Sequence, residues 1–247
     1  MEIAASPPNS RSLTSLAFEQ LRNDILSGGL RPDERLRIQA LSERYSVGAT
    51  AIREALSRLV TEGLVDSEDQ RGFCVAPVSR DELVDLTQTR IEVEQMALRR
   101  AIDRGDVEWE SNLLSCFHRL SRADPPVSPE KHVAWAQVHR QFHEALIEGC
   151  RSPWTMRLCR LLYDKSERYR NLAEHHTQPR PRDIPGEHRA LMDTAMARDA
   201  DGACRLLAEH FWETTNIILK AGFGARDSTP VAQGAASAKG LSPPPAR

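Results

Sequence analysis

The sequence predicts a mainly α-helical protein, with an N-terminal winged helix-turn-helix followed by a C-terminal all-α antiparallel helical bundle. Residues 36–77 hold two short helical stretches joined by a tight turn, and Ile52, Leu56 and Leu59 lie on one face of the second. Two short extended runs follow, which indicates a hairpin that packs as a wing. From Ser79 onward the apolar residues keep a helical period and form no strand pattern.

The N-terminal domain is predicted to span residues 13–78. It follows a tail over residues 1–12 that is rich in Pro, Ser and Asn and is expected to be disordered. The first helix ends at Gly28-Gly29, because glycine is favoured where a helix terminates. The predicted elements are helices over about residues 13–27, 38–45 and 49–62, extended runs at 64–65 and 73–75, and a turn over 69–72.

The C-terminal domain is predicted to span residues 79–222 and to consist of helices alone. Ser79 can cap the first helix, and Glu82 stands three residues later, which is the spacing of a capping box. Gly, Pro and Asp residues mark breaks between helices over about residues 80–104, 106–123, 129–149, 153–175, 183–198 and 200–221. Residues 223–247 are rich in Ala, Ser, Gly and Pro and are expected to form a second disordered tail.

Composition excludes several classes of protein. No apolar run approaches the roughly 20 residues that a membrane-spanning helix needs, and the mean hydropathy is -0.48. The first ten residues lack the basic and apolar regions of a signal peptide. The five cysteines are an odd number and include no C-x-x-C pair, which favours reduced thiols over a disulfide scaffold. We therefore expect a cytoplasmic protein with no membrane partner.

A helix-turn-helix with a wing is a shape that places one helix in the major groove of double-stranded DNA. The formal net charge is only -2, so DNA affinity must come from locally placed arginines. We expect Arg53 to read guanine, since arginine pairs bidentately with that base, and Gln39 to read adenine. The expected DNA-binding residues are Arg35, Gln39, Thr50, Arg53, Ser57, Arg58, Arg71 and Gly72.

Four histidines of the C-terminal domain lie on apolar stripes of the predicted helices. His139 and His143 are four residues apart, so both rings can reach one metal ion from one helix. His188 and His210 stand on the inward faces of two further helices. A single core histidine usually indicates no more than a satisfied hydrogen bond. Four in one bundle point to a divalent-metal site, because neutral imidazole is a common metal ligand.

The N-terminal segments "ILSGGLRPDERL", "IREALSRLVTEGLV" and "RGFCV" resemble the winged helix-turn-helix of GntR-family regulators. The "REAL" core and the Gly-x-Leu-x-Pro-x-Glu-x-Leu spacing from Gly28 to Leu36 carry the likeness. It implies a regulator, more often a repressor, that binds a pseudopalindromic operator as a homodimer. Ala49 and Ala51 stand where many members have arginine and then proline or threonine, so the operator is expected to differ from theirs.

The C-terminal segments "TRIEVEQMALRRA", "HRQFHEAL", "EHRALMDTAMARD" and "LLAEHF" resemble the FCD ligand-binding domain of the FadR branch of that family. The resemblance implies a divalent metal ion held by His139, His143, His188 and His210, with a small carboxylate effector bound against it. His139 stands where many members have an aspartate. A fourth imidazole shifts the ligand set toward nitrogen, which favours Zn, or Ni, over Mn or Mg.

The effector-binding residues follow from the same resemblance. Arg90 and Glu94 occupy the places of the Arg-x-x-x-Glu pair in the opening helix of the domain, and a guanidinium binds carboxylate bidentately. Arg168 and Tyr169, with the adjacent Arg170, are further candidates in the "SERYR" segment. A solvated helix face is the alternative interpretation of that segment.

Other segments, including "GDVEWE" and "GCRSPW", resemble the carbon-starvation-induced (CsiR-type) repressors of this branch. That likeness implies an effector similar to glutarate or 2-hydroxyglutarate. The rival interpretation is a metal-dependent enzyme that uses the four-histidine site. Four protein ligands nearly fill a tetrahedral site, whereas catalytic zinc usually keeps one position open. The sequence also lacks H-E-x-x-H, phosphate-loop and G-x-S-x-G motifs, so no enzymatic activity is expected.

Overall fold

The N-terminal part of the chain folds as short helices around a small antiparallel sheet. The computed structural model describes residues 13–68, 72–123, 129–174 and 182–222. Along the chain the elements are α1 (Leu13–Leu26), β1 (Arg35–Leu36), α2 (Ile38–Tyr45), α3 (Ala49–Thr61), β2 (Val65–Glu68) and β3 (Gly72–Val75). The predicted helices are confirmed, each with bounds within one residue of the expected ones.

The core of this part forms where α1 packs across α3. Ala17, Leu21 and Ile25 repeat every four residues along α1, and each is fully buried. They belong to one apolar cluster with the stripe of α3 that begins at Ile52 and ends at Leu59. Burial of this stripe leaves the opposite face of α3 available to a partner.

The wing is a three-stranded sheet, in which β3 lies between β1 and β2. The predicted two-stranded hairpin was therefore incomplete. β1 pairs antiparallel with β3, with Arg35 opposite Cys74 and Leu36 opposite Phe73. A strand of two residues is too short to show an alternating pattern, which is why the sequence did not reveal it.

The C-terminal part is all-helical within the described residues, as predicted. Its elements are α4 (Arg80–Arg104), α5 (Val107–Arg122), α6 (Pro129–Glu148), α7 (Pro153–Glu174), α8 (Ile184–Met196) and α9 (Ala200–Ala221), with bounds within two residues of the expected ones. α4 packs against α6, α7 and α9, and α5 packs against α6 and α8. This arrangement turns the apolar faces of α6, α8 and α9 toward one another.

The start of α4 is capped differently from the predicted capping box. Ser79 Oγ accepts the backbone N–H of Glu82 at 3.1 Å, as expected. The Glu82 carboxylate instead accepts a hydrogen bond from the Tyr169 hydroxyl, and that hydroxyl accepts the N–H of Ser79 at 3.2 Å. Tyr169 therefore stands between the two halves of the box and ties α7 to the segment that joins the two parts of the chain.

The buried apolar residues form one cluster within residues 17–75, a second within residues 97–211, and a third near the junction of the two parts. The third cluster consists of Val78, Leu83, Tyr169, Leu172, Ala173 and Ile218. The domain division at residue 78 stays a prediction. The tails expected at residues 1–12 and 223–247, and Arg71 in the predicted turn, lie outside the described residues. Within the ranges described, no helix is both long and apolar enough to span a membrane.

Candidate metal centre and effector cavity

Three helices of the bundle bring four buried histidines together. α6 carries His139 and His143 one turn apart, while α8 carries His188 and α9 carries His210. One ring nitrogen from each residue lies within 4.8 Å of those from the other three. All four residues are at most 6% exposed. The histidines singled out from the sequence thus converge on one point of the core.

The spacing of the cluster fits a tetrahedral cation. Nε2 of His139 and Nε2 of His143 are 3.2 Å apart. Two nitrogens on tetrahedral zinc are separated by about 3.3 Å when each lies about 2.0–2.1 Å from the metal. Nε2 of His188 is buried and has no hydrogen-bond partner among the described residues. Because an unsatisfied buried nitrogen costs free energy, a metal ion at this point would relieve it.

Burial keeps the imidazoles neutral. Removal from water is the main cause that lowers the pKa of His139, His143, His188 and His210 below the ordinary histidine value. Repulsion from neighbouring rings lowers the pKa values of His139, His143 and His188 further, and the pKa of His188 falls to about 2. A neutral imidazole offers a lone pair to a metal without first losing a proton. The donor set is therefore ready to bind a metal at neutral pH.

A carboxylate outside the cluster orients His210. Glu187 accepts a hydrogen bond from Nδ1 of His210 at 2.8 Å, and Arg182 donates two hydrogen bonds to the same carboxylate at 2.7 and 2.6 Å. Burial alone would raise the pKa of Glu187, but the hydrogen bonds from His210 and Arg182 outweigh it and hold that pKa at about 2. An ionised carboxylate only accepts hydrogen bonds, so Nδ1 carries the proton and Nε2 carries the lone pair.

A small cavity adjoins the histidine cluster, between α4, α7 and α9. Its volume is about 30 Å³, which is room for roughly two water-sized groups. Leu83 and Ile218 contribute apolar walls, and Arg90 and Arg170 contribute guanidinium groups. Hydroxyl groups line it as well, from Thr87, Ser166, Thr214 and Thr215. The mixture of cationic, hydroxyl and apolar groups suits a small anionic ligand.

Each of the two cavity arginines already has an internal counter-ion. Arg90 Nε donates to Glu94 at 2.6 Å, which is the Arg-x-x-x-Glu pair anticipated from the sequence. Arg170 forms an ion pair with Glu167, and its Nη1 lies 3.4 Å from Nδ1 of His139. Burial raises the pKa of the Glu94 carboxyl against the opposing effect of Arg90, so whether or not Glu94 is ionised, these groups and the neutral imidazoles carry no net negative charge.

The structure does not bring Arg168 and Tyr169 to this cavity. Arg168 donates to the backbone carbonyl of Ala76, and Tyr169 donates to Glu82, both near the start of α4. Arg170, the next residue, lines the cavity instead. Successive residues of a helix point about 100° apart, so one short segment serves both the cavity and the junction with the N-terminal part.

Sequence reasoning missed several polar residues around the cluster. Glu187 precedes His188 directly, and this adjacent pair was the available signal. Tyr163 and Glu167 stand seven and three residues before Arg170, on one helix face, and the Tyr163 hydroxyl lies 3.1 Å from Nδ1 of His139. Arg182 precedes α8 and belongs to no helix, so no periodicity pointed to it.

The predicted DNA contacts lie on the surface of the N-terminal part. Arg53 and Ser57 are exposed one turn apart on α3, where Ser57 Oγ donates to the carbonyl of Arg53 at 3.0 Å. The guanidinium of Arg58 lies 3.9 Å from the ring centroid of Phe18, so it also packs against α1. The remaining described candidates, all exposed, are Arg35, Gln39, Thr50 and Gly72.

Comparison with known proteins decides the family. Residues 13–75 match the bacterial regulatory proteins of the gntR family, and residues 85–212 match the FCD domain. The chain belongs to the GntR family, in the branch that carries an FCD domain. It is 43% identical to the HTH-type transcriptional regulator BphR of Paraburkholderia xenovorans, over 87% of this chain and 88% of that one. It is 36% identical to the HTH-type transcriptional repressor GlaR of Escherichia coli, over 85% and 98%.

Two solved structures share the fold. Escherichia coli McbR/YncC superposes with a TM-score of 0.71 at 23% identity, over 85% of this chain and 99% of that one. A GntR regulator from Rhodococcus superposes with a TM-score of 0.66 at 21% identity, over 86% and 100%. The predicted winged helix-turn-helix and helical FCD bundle are thus confirmed. The chain is a DNA-binding transcriptional regulator and not an enzyme.

Proposed function

We propose that this GntR regulator is a repressor whose operator binding is controlled by a small carboxylate metabolite, bound with a divalent metal ion in the helical domain. The repressor GlaR among its relatives supports repression. The observation that carries the effector site is the convergence of four buried, neutral imidazoles beside a cavity whose arginines are already paired.

Charge balance explains why the ligand is an anion. The imidazoles are neutral, and Glu94 and Glu167 at most balance the charges of Arg90 and Arg170. A bound divalent cation then adds two positive charges to a site shielded from water. Uncompensated charge in a low-dielectric interior is costly, so a negatively charged co-ligand is favoured. A carboxylate supplies that charge and two acceptor oxygens.

The donor set favours zinc, or nickel, over magnesium or manganese. Four imidazole nitrogens are borderline ligands that suit Zn and Ni, whereas Mg and Mn prefer oxygen. His139, His143, His188 and His210 would hold the ion. When bound, the metal would supply positive charge that favours a carboxylate in the adjoining cavity. The protein contributes Arg90, whose guanidinium can hold that carboxylate once Glu94 shares it.

The lining of the cavity supports a carboxylate ligand. About 30 Å³ accommodates one carboxylate group, and Thr87 and Thr214 offer hydroxyl donors to a polar substituent. The proposal of an effector like glutarate or 2-hydroxyglutarate rests on the resemblance to carbon-starvation-induced repressors. Arg168 and Tyr169 contact the domain junction, so Arg90 is the effector-binding residue that the cavity supports best.

We further propose that the regulator acts in the cytoplasm as a homodimer on a pseudopalindromic operator. Two copies double the arginine contacts that one weakly charged domain provides, and the symmetry of the dimer matches that of the operator. Arg53 and Gln39 would read bases, with Arg35, Thr50, Ser57, Arg58, Arg71 and Gly72 on the backbone or the minor groove. Strong salt dependence of DNA binding is expected.

A gel-shift assay on the DNA upstream of the protein's own coding sequence tests the proposal. The protein is stripped with chelator, reloaded with zinc, and titrated with glutarate, 2-hydroxyglutarate or 4-aminobutyrate. We expect one of the acids to release the DNA only from the zinc-loaded protein. Arg90→Ala should bind the same DNA and resist release, while Arg99→Ala, at an exposed ion pair on the same helix, should respond normally.

Three results would contradict the proposal. Absence of a shift at low salt would contradict the proposed operator. Equal release with and without zinc would contradict a role of the metal in effector binding. A DNA complex that none of the acids affects would contradict both the glutarate-like effector and the closer resemblance to carbon-starvation-induced repressors.

A further inference from the structure

α7 has two functional faces along one helix. One face meets the cavity through Ser166, Glu167 and Arg170. The other contacts the N-terminal part through side chains that donate to backbone carbonyls. Lys165 donates to Gly63, Arg168 to Ala76 and Asn171 to Leu26. The carbonyl acceptors belong to the ends of α1 and α3 and to the connecting segment, so α7 holds the DNA-binding part in place.

Asp164 of α7 forms an ion pair with the N-terminal part. Its carboxylate is shared by two guanidinium groups: Arg140 of α6 and Arg22 of α1. Arg22 also pairs through Nε with Glu62, directly after α3, at 3.0 Å. The Asp164 side chain is 14% exposed, so water screens these ion pairs weakly. A single carboxylate therefore connects α6 with the helix that supports the recognition helix.

A continuous set of contacts joins this carboxylate to the histidine cluster. Arg140 follows His139 in the chain, and its guanidinium lies 4.7 Å from the ring centroid of Tyr163. The Tyr163 hydroxyl is 3.1 Å from Nδ1 of His139. Tyr163 and Asp164 are themselves adjacent on α7. Any rotation of the His139 ring thus disturbs the residues that hold Arg140 against Asp164.

We propose that Asp164 is the coupling residue through which occupancy of the histidine cluster alters the position of α1 and α3. This inference rests on the proposed function of the metal site. Nε2 of His139 and Nε2 of His143 already lie 3.2 Å apart, so an ion held by the cluster would fix the His139 ring in place. A fixed His139 ring restrains Tyr163, whose hydroxyl lies 3.1 Å from Nδ1 of His139, and with it the Arg140 guanidinium beside the Tyr163 ring. Arg140 and Arg22 are both bound to Asp164, so the restraint reaches α1.

The arrangement is a continuous ionic bridge. Arg140 binds one oxygen of the Asp164 carboxylate and Arg22 binds the other, so a restraint on one guanidinium acts on the other through the shared group. The Arg22 side chain also holds Glu62 through Nε, which extends the bridge to the end of α3. Coupling between two sites of a protein typically changes affinity by about 5–150-fold and acts in both directions. DNA binding should therefore alter zinc affinity by the same factor.

Hydrogen exchange on the full-length protein tests the inference, with zinc alone as the probe. In the wild type we expect zinc to change amide protection in α1 and α3 as well as in α6, α8 and α9. Asp164→Asn should bind zinc with unchanged affinity and show the changes only around the histidines. Asp201→Asn is the matched control, because it removes an exposed carboxylate paired with Arg99 at 2.6 Å, away from the N-terminal part.

A second variant guards against a folding defect in the first. Arg22→Gln removes the α1 partner without touching the cavity, and the same loss of long-range protection is expected. The double variant should lose no more than either single variant, since the two residues act in one unit.

The outcomes separate this inference from the proposed function. Zinc-induced protection changes in α1 and α3 that persist in Asp164→Asn and Arg22→Gln would overturn the coupling role. Changes confined to the histidine helices in the wild type would also overturn it. Failure of the wild type to bind zinc at all would overturn the proposed metal site instead.

Discussion

The Glu187 carboxylate accepts a hydrogen bond from Nδ1 of His210 at 2.8 Å, so Nε2 of His210 is the nitrogen left to face the other histidines. Arg182 holds the same carboxylate from the outside with two hydrogen bonds. Carboxylates that orient a ligating histidine in this way commonly change metal affinity by about 10–100-fold when replaced. Glu187 therefore orients the His210 ring and does not itself act as a metal ligand.

Glu187→Gln should therefore weaken zinc binding by about 10–100-fold. The amide can present its NH₂ group to Nδ1, which favours the wrong tautomer of His210. Competition with a chromophoric chelator measures the affinity. Glu209→Gln alters an exposed residue next to His210 and should bind zinc like the wild type. Equal affinity in both variants would show that Glu187 has no orienting role.

Zinc should stabilise the folded protein. At a free zinc concentration of about 100 times Kd, the free energy of unfolding rises by about 2.7 kcal/mol, because the unfolded chain does not assemble the four ligands. Thermal unfolding with and without chelator reports the shift. His188→Ala should remove most of it, whereas His118→Ala, an exposed histidine of α5, should retain it. A zinc-independent melting temperature in the wild type contradicts the prediction.

The metal-free protein should lose stability as the pH falls below about 6.5. Burial lowers the pKa of His143 well below the value it has in the unfolded chain. Below the unfolded pKa, the unfolded state binds more protons than the folded state, so acid favours unfolding. Urea unfolding of chelator-treated protein at several pH values measures the slope. His143→Gln should flatten it, and an unchanged slope in this variant would contradict the prediction.

Arg53→Ala should cost about 1–3 kcal/mol of specific DNA binding. Arg53 is exposed on α3, and loss of a bidentate base contact reduces discrimination while phosphate contacts persist. Footprinting on specific and unrelated DNA separates the two effects. Arg58→Ala serves as the comparison variant. Arg58 also covers the Phe18 ring, so this substitution should lower the melting temperature of the protein as well as affect DNA binding. If Arg53→Ala gives the same footprint as the wild type, Arg53 does not read a base.

Tyr169→Phe should reduce stability without altering the effector response. The hydroxyl connects the N–H of Ser79 with the Glu82 carboxylate, and such a hydrogen bond contributes about 1 kcal/mol, or more when the partners are left unsatisfied. Chemical unfolding measures the loss, and effector titration of the DNA complex measures the response. A strongly changed effector affinity in this variant would contradict the prediction and would indicate that Tyr169 contacts the effector.

Local sequence pattern was sufficient for the elements and for the metal-ligand candidates. Apolar residues that recur every three or four positions are a property of one helix, so the bounds of α4 and α9 could be predicted almost to the residue. The same periodicity placed His139 and His143 on an inward face. Their convergence with His188 and His210 required only that inward faces meet, which any packed bundle provides.

The tertiary structure alone decided contacts between segments that are distant in sequence. The rotation of α7 about its own axis, relative to the neighbouring helices, is not encoded in any local pattern. This rotation places Arg170 at the cavity, and it places Arg168 and Tyr169 at the domain junction. The strand at Arg35–Leu36 exists because β3 offers free backbone groups to it. In this protein, the 3.6-residue period of each helix fixed which residues face inward. The packing of the helices then decided which inward side chains meet.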